Sequence, residues 1–187
     1  MKKYFQKINF TLPPVDMDRI RTNNVTEGYG EQFRSYEIAD KEYFCELYSR
    51  KIKFNIPPDI VNYTCITDNG AGPHVDQVKS VINYYINPGN CVTAFWEPKD
   101  VNYAPSALQQ LQSNGSWKES TILGYEMNQL RLASYLRALP NEAYALSTKE
   151  IHSVIKPQPT TTREFFRWMW FDLTIDEVLE NIILIND

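Results

Sequence analysis

Two histidines are present in the whole chain, and each sits in a setting suited to metal binding. His74 lies in Gly72-Pro73-His74-Val75-Asp76, and His152 lies in Ile151-His152-Ser153-Val154. On an extended strand, side chains two residues apart point the same way, so His74 and Asp76 present an imidazole and a carboxylate to one point. A third ligand from a facing strand would complete a facial triad of two histidines and one carboxylate, and His152 is the histidine left to supply it. Such a triad suits ferrous iron and leaves coordination positions open for a co-substrate and oxygen.

Beyond His152, Arg163 opens an apolar, aromatic stretch, Arg163-Glu164-Phe165-Phe166-Arg167-Trp168-Met169-Trp170. A guanidinium inside such a strand needs an anionic partner, because burying it alone is costly. A dicarboxylate meets that need with two-pronged geometry. The alternative places Arg163 exposed at the strand's mouth, paired with Glu164 or another acid. Arg167 shares the strand face by parity and competes for the carboxylate role.

Other chemistries find no support. There is no Gly-X-Ser-X-Gly elbow for a serine hydrolase, no phosphate-cradling glycine loop and no zinc spacing of cysteines. Cys45, Cys65 and Cys91 are odd in number and lack Cys-X-X-Cys spacing. They are expected to be reduced, mostly buried thiols of a cytoplasmic protein. The Trp168-Met169-Trp170 run is expected to be sheet-face packing.

The elements that must position these residues read as β structure. Aromatics make up 13% of the 187 residues, which favours pleated surfaces. Short β-like segments run over 61–67, 80–87, 91–96, 143–147, 151–155 and 163–171, with Pro88-Gly89-Asn90 as a turn between two of them. Residues 1 to about 38 read as an irregular or β-containing lead-in. Residues 40–52 carry helical spacing behind Asp40 as N-cap, and Pro57-Pro58 closes that element. Residues 123–139 fit either a helix or a strand. The polar stretch 97–120, with Tyr103 and Trp117, reads as a long loop suited to covering a small guest. Thr174-Ile175-Asp176-Glu177 is a capping box that opens a terminal helix over 174–187.

The order His74-X-Asp76, then Asn83-Tyr84-Tyr85-Ile86-Asn87, then Gly89 with Thr93-Ala94-Phe95, then Ile-His-Ser-Val, then Arg163, resembles the iron(II)/2-oxoglutarate-dependent oxygenases. The small, prolyl hydroxylase-like members are the nearest in pattern. The resemblance covers about residues 60–172. Asn90 stands where the family has a second glycine, and extra residues separate Gly89 from Thr93. The resemblance implies a mainly β fold, a double-stranded β-helix of the jelly-roll or cupin-like kind, with a few flanking helices. It implies one domain over 1–187, with 60–172 as catalytic core, 1–59 as support and 174–187 as C-terminal helix. It also implies Fe(II) on His74, Asp76 and His152, with 2-oxoglutarate and O2 as co-substrates and the far carboxylate of 2-oxoglutarate on Arg163. Tyr85 and Asn83 would add hydrogen bonds to the co-substrate, with Tyr84 as the other choice for the inward residue. The reaction would hydroxylate a C–H bond and convert 2-oxoglutarate to succinate. Asp76 favours hydroxylation over halogenation, because a halide would need its coordination site. The alternative function is a cupin-like metal-binding module without redox turnover.

Charge narrows the partners. Nineteen basic against 23 acidic residues give a net charge of -4, and the basic residues are scattered. A polyanion is therefore repelled at long range, so no nucleic-acid partner is expected. No stretch approaches the roughly 20 apolar residues of a membrane span. The expected substrate is a small molecule, an amino acid or a peptidyl side chain. Oligomeric state is left open.

Overall fold

The structure, a computed structural model, describes residues 2–23, 25–29, 33–66, 70–111, 117–155 and 162–185. Its elements follow from alternation along the chain. On β7 (Ser80–Asn87) and β14 (Arg163–Trp170), successive residues belong to two different cores. Ile82, Tyr84, Phe166, Trp168 and Trp170 pack into one core, while Val81, Tyr85, Phe165 and Met169 pack into the other. A strand apolar on both faces must be covered on both faces. The covering layers are helices on one side and a second sheet on the other.

The larger sheet has seven antiparallel strands. Besides β7 and β14 they are β1 (Phe5–Ile8), β2 (Val25–Tyr29), β3 (Phe33–Tyr36), β5 (Ile60–Ile66) and β12 (Glu142–Ser147), in the order β1-β12-β7-β14-β5-β3-β2. The smaller sheet has six strands. These are β6 (Gly70–Val75), β8 (Val92–Pro98), β9 (Ser106–Leu111), β10 (Trp117–Gly124), β11 (Leu130–Leu136) and β13 (His152–Ile155), in the order β11-β8-β13-β6-β10-β9. From β5 to β8 the chain alternates between the sheets, and it does so again from β11 to β14. The outer face of the larger sheet is covered by α1 (Met17–Ile20), α2 (Lys41–Ser49) and α3 (Ile175–Asn181). A small pairing of β4 (Ile52–Phe54) with β15 (Ile182–Leu184) completes that layer. No helix among the described residues is long and apolar enough to cross a membrane.

Several expectations are corrected. Residues 123–139 form the end of β10, a 3-10 turn over Met127–Gln129 and β11. Only Leu130 and Leu136 of β11 are buried; β11 is an edge strand, and its helix-like spacing is an accident of an exposed face. The stretch 97–120 is not one long loop. It contains β9 and the first half of β10, a hairpin that extends the smaller sheet beside β6, while residues 112–116 and the Trp117 side chain lie outside the described part. The terminal helix stops at Asn181, because the β-branched Ile182 and Ile183 continue as β15 against β4. Residues 1–59 supply three strands to the larger sheet as well as supporting helices. The cysteines are less buried than expected: Cys91 is buried, Cys65 half-buried and Cys45 exposed.

α2 starts where Asp40 accepts a hydrogen bond from the Tyr43 amide at 2.9 Å. α3 carries the capping box between Thr174 and Glu177. In the Pro88-Gly89-Asn90 turn both Gly89 (φ 60°) and Asn90 (φ 55°) are left-handed. Asn tolerates that conformation better than other non-glycine residues, which suits Asn90 to this turn. At Gly89 any side chain would collide, since a Cβ would stand 2.8 Å from the Thr162 carbonyl oxygen.

Candidate metal centre

His74 and His152 are cross-strand partners on β6 and β13. The register slips beside them: His152 pairs with His74, yet Val154 pairs with Ala71, so β6 carries one extra residue. Pro73 lies in this bulge, where a missing N–H breaks no ladder bond. Its carbonyl accepts from the Tyr125 amide at 2.9 Å. The bulge turns the last residues of β6 inward.

Both imidazoles are oriented alike. His74 Nδ1 donates to the Gly72 carbonyl at 2.7 Å, and His152 Nδ1 donates to the Glu150 carbonyl at 2.9 Å. A carbonyl only accepts, so Nδ1 carries a proton in both rings, and in the neutral ring Nε2 is the atom left to bind a metal. The two Nε2 atoms then meet one carboxylate: Asp76 Oδ1 lies 3.3 Å from His74, and Asp76 Oδ2 lies 3.7 Å from His152. All three ligand atoms fall within 4.8 Å of one another, close enough to hold a metal ion. Asp76 is just past β6 and is fixed by its own backbone. Its amide donates to the Thr148 carbonyl at 2.9 Å, and its carbonyl accepts from Lys149 at 3.0 Å.

Asp76 and His152 are held in the form that binds a metal, while His74 must give up a proton to do so. Burial pushes the Asp76 carboxyl up, but the adjacent His152 and His74 outweigh it and hold it well below the usual range. Burial, then the neighbouring His74, pushes His152 down to about 4, so it is neutral at pH 7. Burial opposes charge on His74 as well, but its bond to Asp76 prevails and raises it.

The rest of the site is built on the inward faces of β7, β8 and β14. Arg163 is buried, not exposed, and Glu164 does not pair with it. Glu164 instead bonds to Tyr63 and Arg21 on the outer side. One guanidinium nitrogen of Arg163 donates to Tyr85 Oη at 2.9 Å and to Thr93 Oγ1 at 3.0 Å. Those hydroxyls stand on opposite sheets, so Arg163 bridges the two layers. Among the described residues no carboxylate pairs with Arg163, and its buried Nε has no hydrogen-bond partner. The rings of Tyr85 and Phe165 flank the guanidinium at 5.1 and 5.2 Å.

Parity decides the remaining residues. Tyr85 and Asn83 face inward, and Asn83 Nδ2 lies 3.4 Å from Tyr85 Oη. Tyr84 faces the helical layer, where its hydroxyl accepts from the Leu12 amide at 3.2 Å. Arg167 is also inward, donating from Nε to Asn83 Oδ1 at 3.1 Å. The sequence reading missed Thr93 as a partner of Arg163. Its signal was present: on β8, Thr93 alternates with Phe95, which is the cross-strand partner of His152.

Neither a protein-family model nor a curated protein matches this chain.

Proposed function

We propose that this chain is an iron(II)- and 2-oxoglutarate-dependent oxygenase that hydroxylates a C–H bond of a small molecule or an amino-acid side chain. The observation that carries the reading is Arg163. It is a buried cation with an orphaned Nε and no carboxylate partner among the described residues, a short step from a three-ligand metal centre. A protein that kept such a group for stability alone would pair it. A dicarboxylate bound at the metal would supply the missing charge.

The spacing suits that ligand. His152 stands opposite Phe95 on β8, and Thr93, which touches Arg163, is two residues further along the same face. That separation is about 7 Å, a reach for a five-carbon dicarboxylate bound at the metal by its other end. The fold supports the same reading. Two runs of four strands alternate between facing antiparallel sheets, as in a double-stranded β-helix.

His74, Asp76 and His152 would hold the iron, and two imidazoles with one carboxylate are a donor set that suits it. When bound, iron and 2-oxoglutarate would supply the oxidising chemistry: one O2 is consumed, 2-oxoglutarate becomes succinate and CO2, and one oxygen atom enters the C–H bond. The chain's own residues orient and exclude. The Gly72 and Glu150 carbonyls fix both imidazoles, Arg163 with Tyr85 and Thr93 would receive the far carboxylate, and Phe95 and Phe165 keep water from the inner wall. Succinate formation from 2-oxoglutarate by the iron-loaded protein separates this reading from a metal-binding module that turns nothing over.

A further inference from the structure

Two of the chain's crossings between the sheets lie side by side. One, residues 76–79, leads from β6 to β7, and the other, residues 148–151, leads from β12 to β13. Their ends are neighbours in both sheets, since Ser80 pairs with Ser147 in the larger and His74 with His152 in the smaller. The candidate metal ligands sit at the ends of this double crossing: Asp76 opens the first, and His152 follows the second.

Hydrogen bonds tie one crossing to the other. The Thr148 amide donates to the Lys79 carbonyl at 3.1 Å, beside the bond from the Asp76 amide to the Thr148 carbonyl at 2.9 Å. The Thr148 hydroxyl donates to the Val78 carbonyl at 2.7 Å. Thr148 thus bonds to Asp76, Val78 and Lys79, and it is only 2% exposed. The same crossing reaches His152, whose Nδ1 donates to the Glu150 carbonyl. It is anchored in turn by the segment before β1, where the Ser147 amide donates to the Tyr4 carbonyl at 2.9 Å and Lys2 pairs with Glu150.

Two of the three Thr148 bonds are made by its backbone and form whatever the side chain. The identity of residue 148 therefore acts through its hydroxyl, which pins the chain two residues after Asp76. A carboxylate on a loosely held crossing must be ordered when an ion binds, and that entropy subtracts from affinity. One held beforehand avoids the loss.

We infer that Thr148 is a positioning residue of the metal centre, which holds Asp76 and, through the same short crossing, His152 in place before the ion arrives. The inference rests on the metal-binding part of the function proposed above and not on the co-substrate.

The test is metal binding by the full chain, titrated with cobalt(II), whose visible absorption reports both occupancy and ligand geometry. Thr148→Val should weaken cobalt(II) about 10- to 100-fold, the loss typical of groups that orient ligands, and should change the shape of the absorption. Thr148→Ser keeps the hydroxyl and should restore most of the affinity. Thr174→Ala removes the cap of α3 in the outer layer, so it should lower the melting temperature and leave cobalt(II) binding unchanged. Amide exchange in the unaltered chain gives a second measurement, free of any folding defect. Saturation with zinc(II) should slow the Asp76 and Thr148 amides more than the Val178 amide of α3, because a crossing that favours the ion must be favoured by it in return. Cobalt(II) affinity and spectrum unchanged in Thr148→Val, or equal slowing of all three amides, would overturn the inference and leave the proposed function standing. Failure of the unaltered chain to bind either ion would remove both readings together.

Discussion

His74 and His152 stand directly opposite each other on neighbouring strands, their ring centroids 4.4 Å apart and tilted by 51°. Each is locked by its Nδ1 to a carbonyl two residues earlier, and each turns Nε2 to Asp76. Two imidazoles this close repel when both are protonated, so the arrangement favours a shared cation over two separate protons. The chain should therefore bind one divalent ion. Replacing His74, Asp76 or His152 by Ala should cost more than about 100-fold in affinity, beyond what loss of a supporting residue costs. Metal content per chain, with circular dichroism as a folding control, checks this.

The two histidines should titrate on opposite sides of the ordinary value in the metal-free protein. Burial and the neighbouring His74 push His152 down to about 4, whereas Asp76 raises His74 in spite of burial. With only two imidazoles in the chain, proton NMR can follow both, and a His152→Gln variant assigns them. The sign for metal binding follows. A proton on His74 competes with the ion, so affinity should climb with pH until His74 is neutral and then level off. His152 adds no slope near neutrality because it is already neutral there. Two imidazoles titrating together near 6.5 would contradict this geometry.

Arg163 should behave as a group kept for a ligand and not for stability. Its Nε lacks a partner and no carboxylate among the described residues neutralises it, so Arg163→Met should leave the melting temperature of the metal-free protein unchanged or higher. The same change should abolish 2-oxoglutarate binding without altering metal affinity. Arg163→Lys should recover only part of that binding, since an ammonium cannot make the two-pronged contact. A sharp fall in stability for Arg163→Met, with 2-oxoglutarate binding retained, would assign Arg163 to the core.

The turn before β8 gives a purely structural prediction. Gly89→Ala should destabilise the fold by about 1–3 kcal/mol, because the backbone is left-handed and the new methyl meets the Thr162 carbonyl. Since Thr162 precedes Arg163, 2-oxoglutarate affinity should fall too. Asn90→Gly should be tolerated. Denaturant midpoints of the two variants should separate clearly.

Local patterns made much of this legible in sequence. The His-X-Asp spacing, the remaining histidine and the arginine at a strand start follow from period-two geometry, and the structure brings His74, Asp76 and His152 within reach of one ion. Which face a residue takes is not local. Tyr84 and Tyr85 are equally apolar and aromatic, and only the layer each strand face meets assigns Tyr85 to the site and Tyr84 to the helices. Where both faces are buried, alternation in hydrophobicity vanishes and parity cannot be read. The reverse holds for β11 and the β9-β10 hairpin. Those strands lie at a sheet edge, so few of their positions need be apolar, and their sequence reads as helix or loop.

The proposed function requires a 2-oxo acid to bind the metal that His74, Asp76 and His152 would hold, with Arg163 at its far end. The most direct measurement is an anaerobic absorption titration of the iron(II)-loaded chain with 2-oxoglutarate, because a 2-oxo acid bound to ferrous iron absorbs in the visible. A visible band should appear that saturates at one 2-oxoglutarate per chain and needs far more 2-oxoglutarate in Arg163→Ala. A chain that holds one iron yet develops no band at saturating 2-oxoglutarate would contradict it.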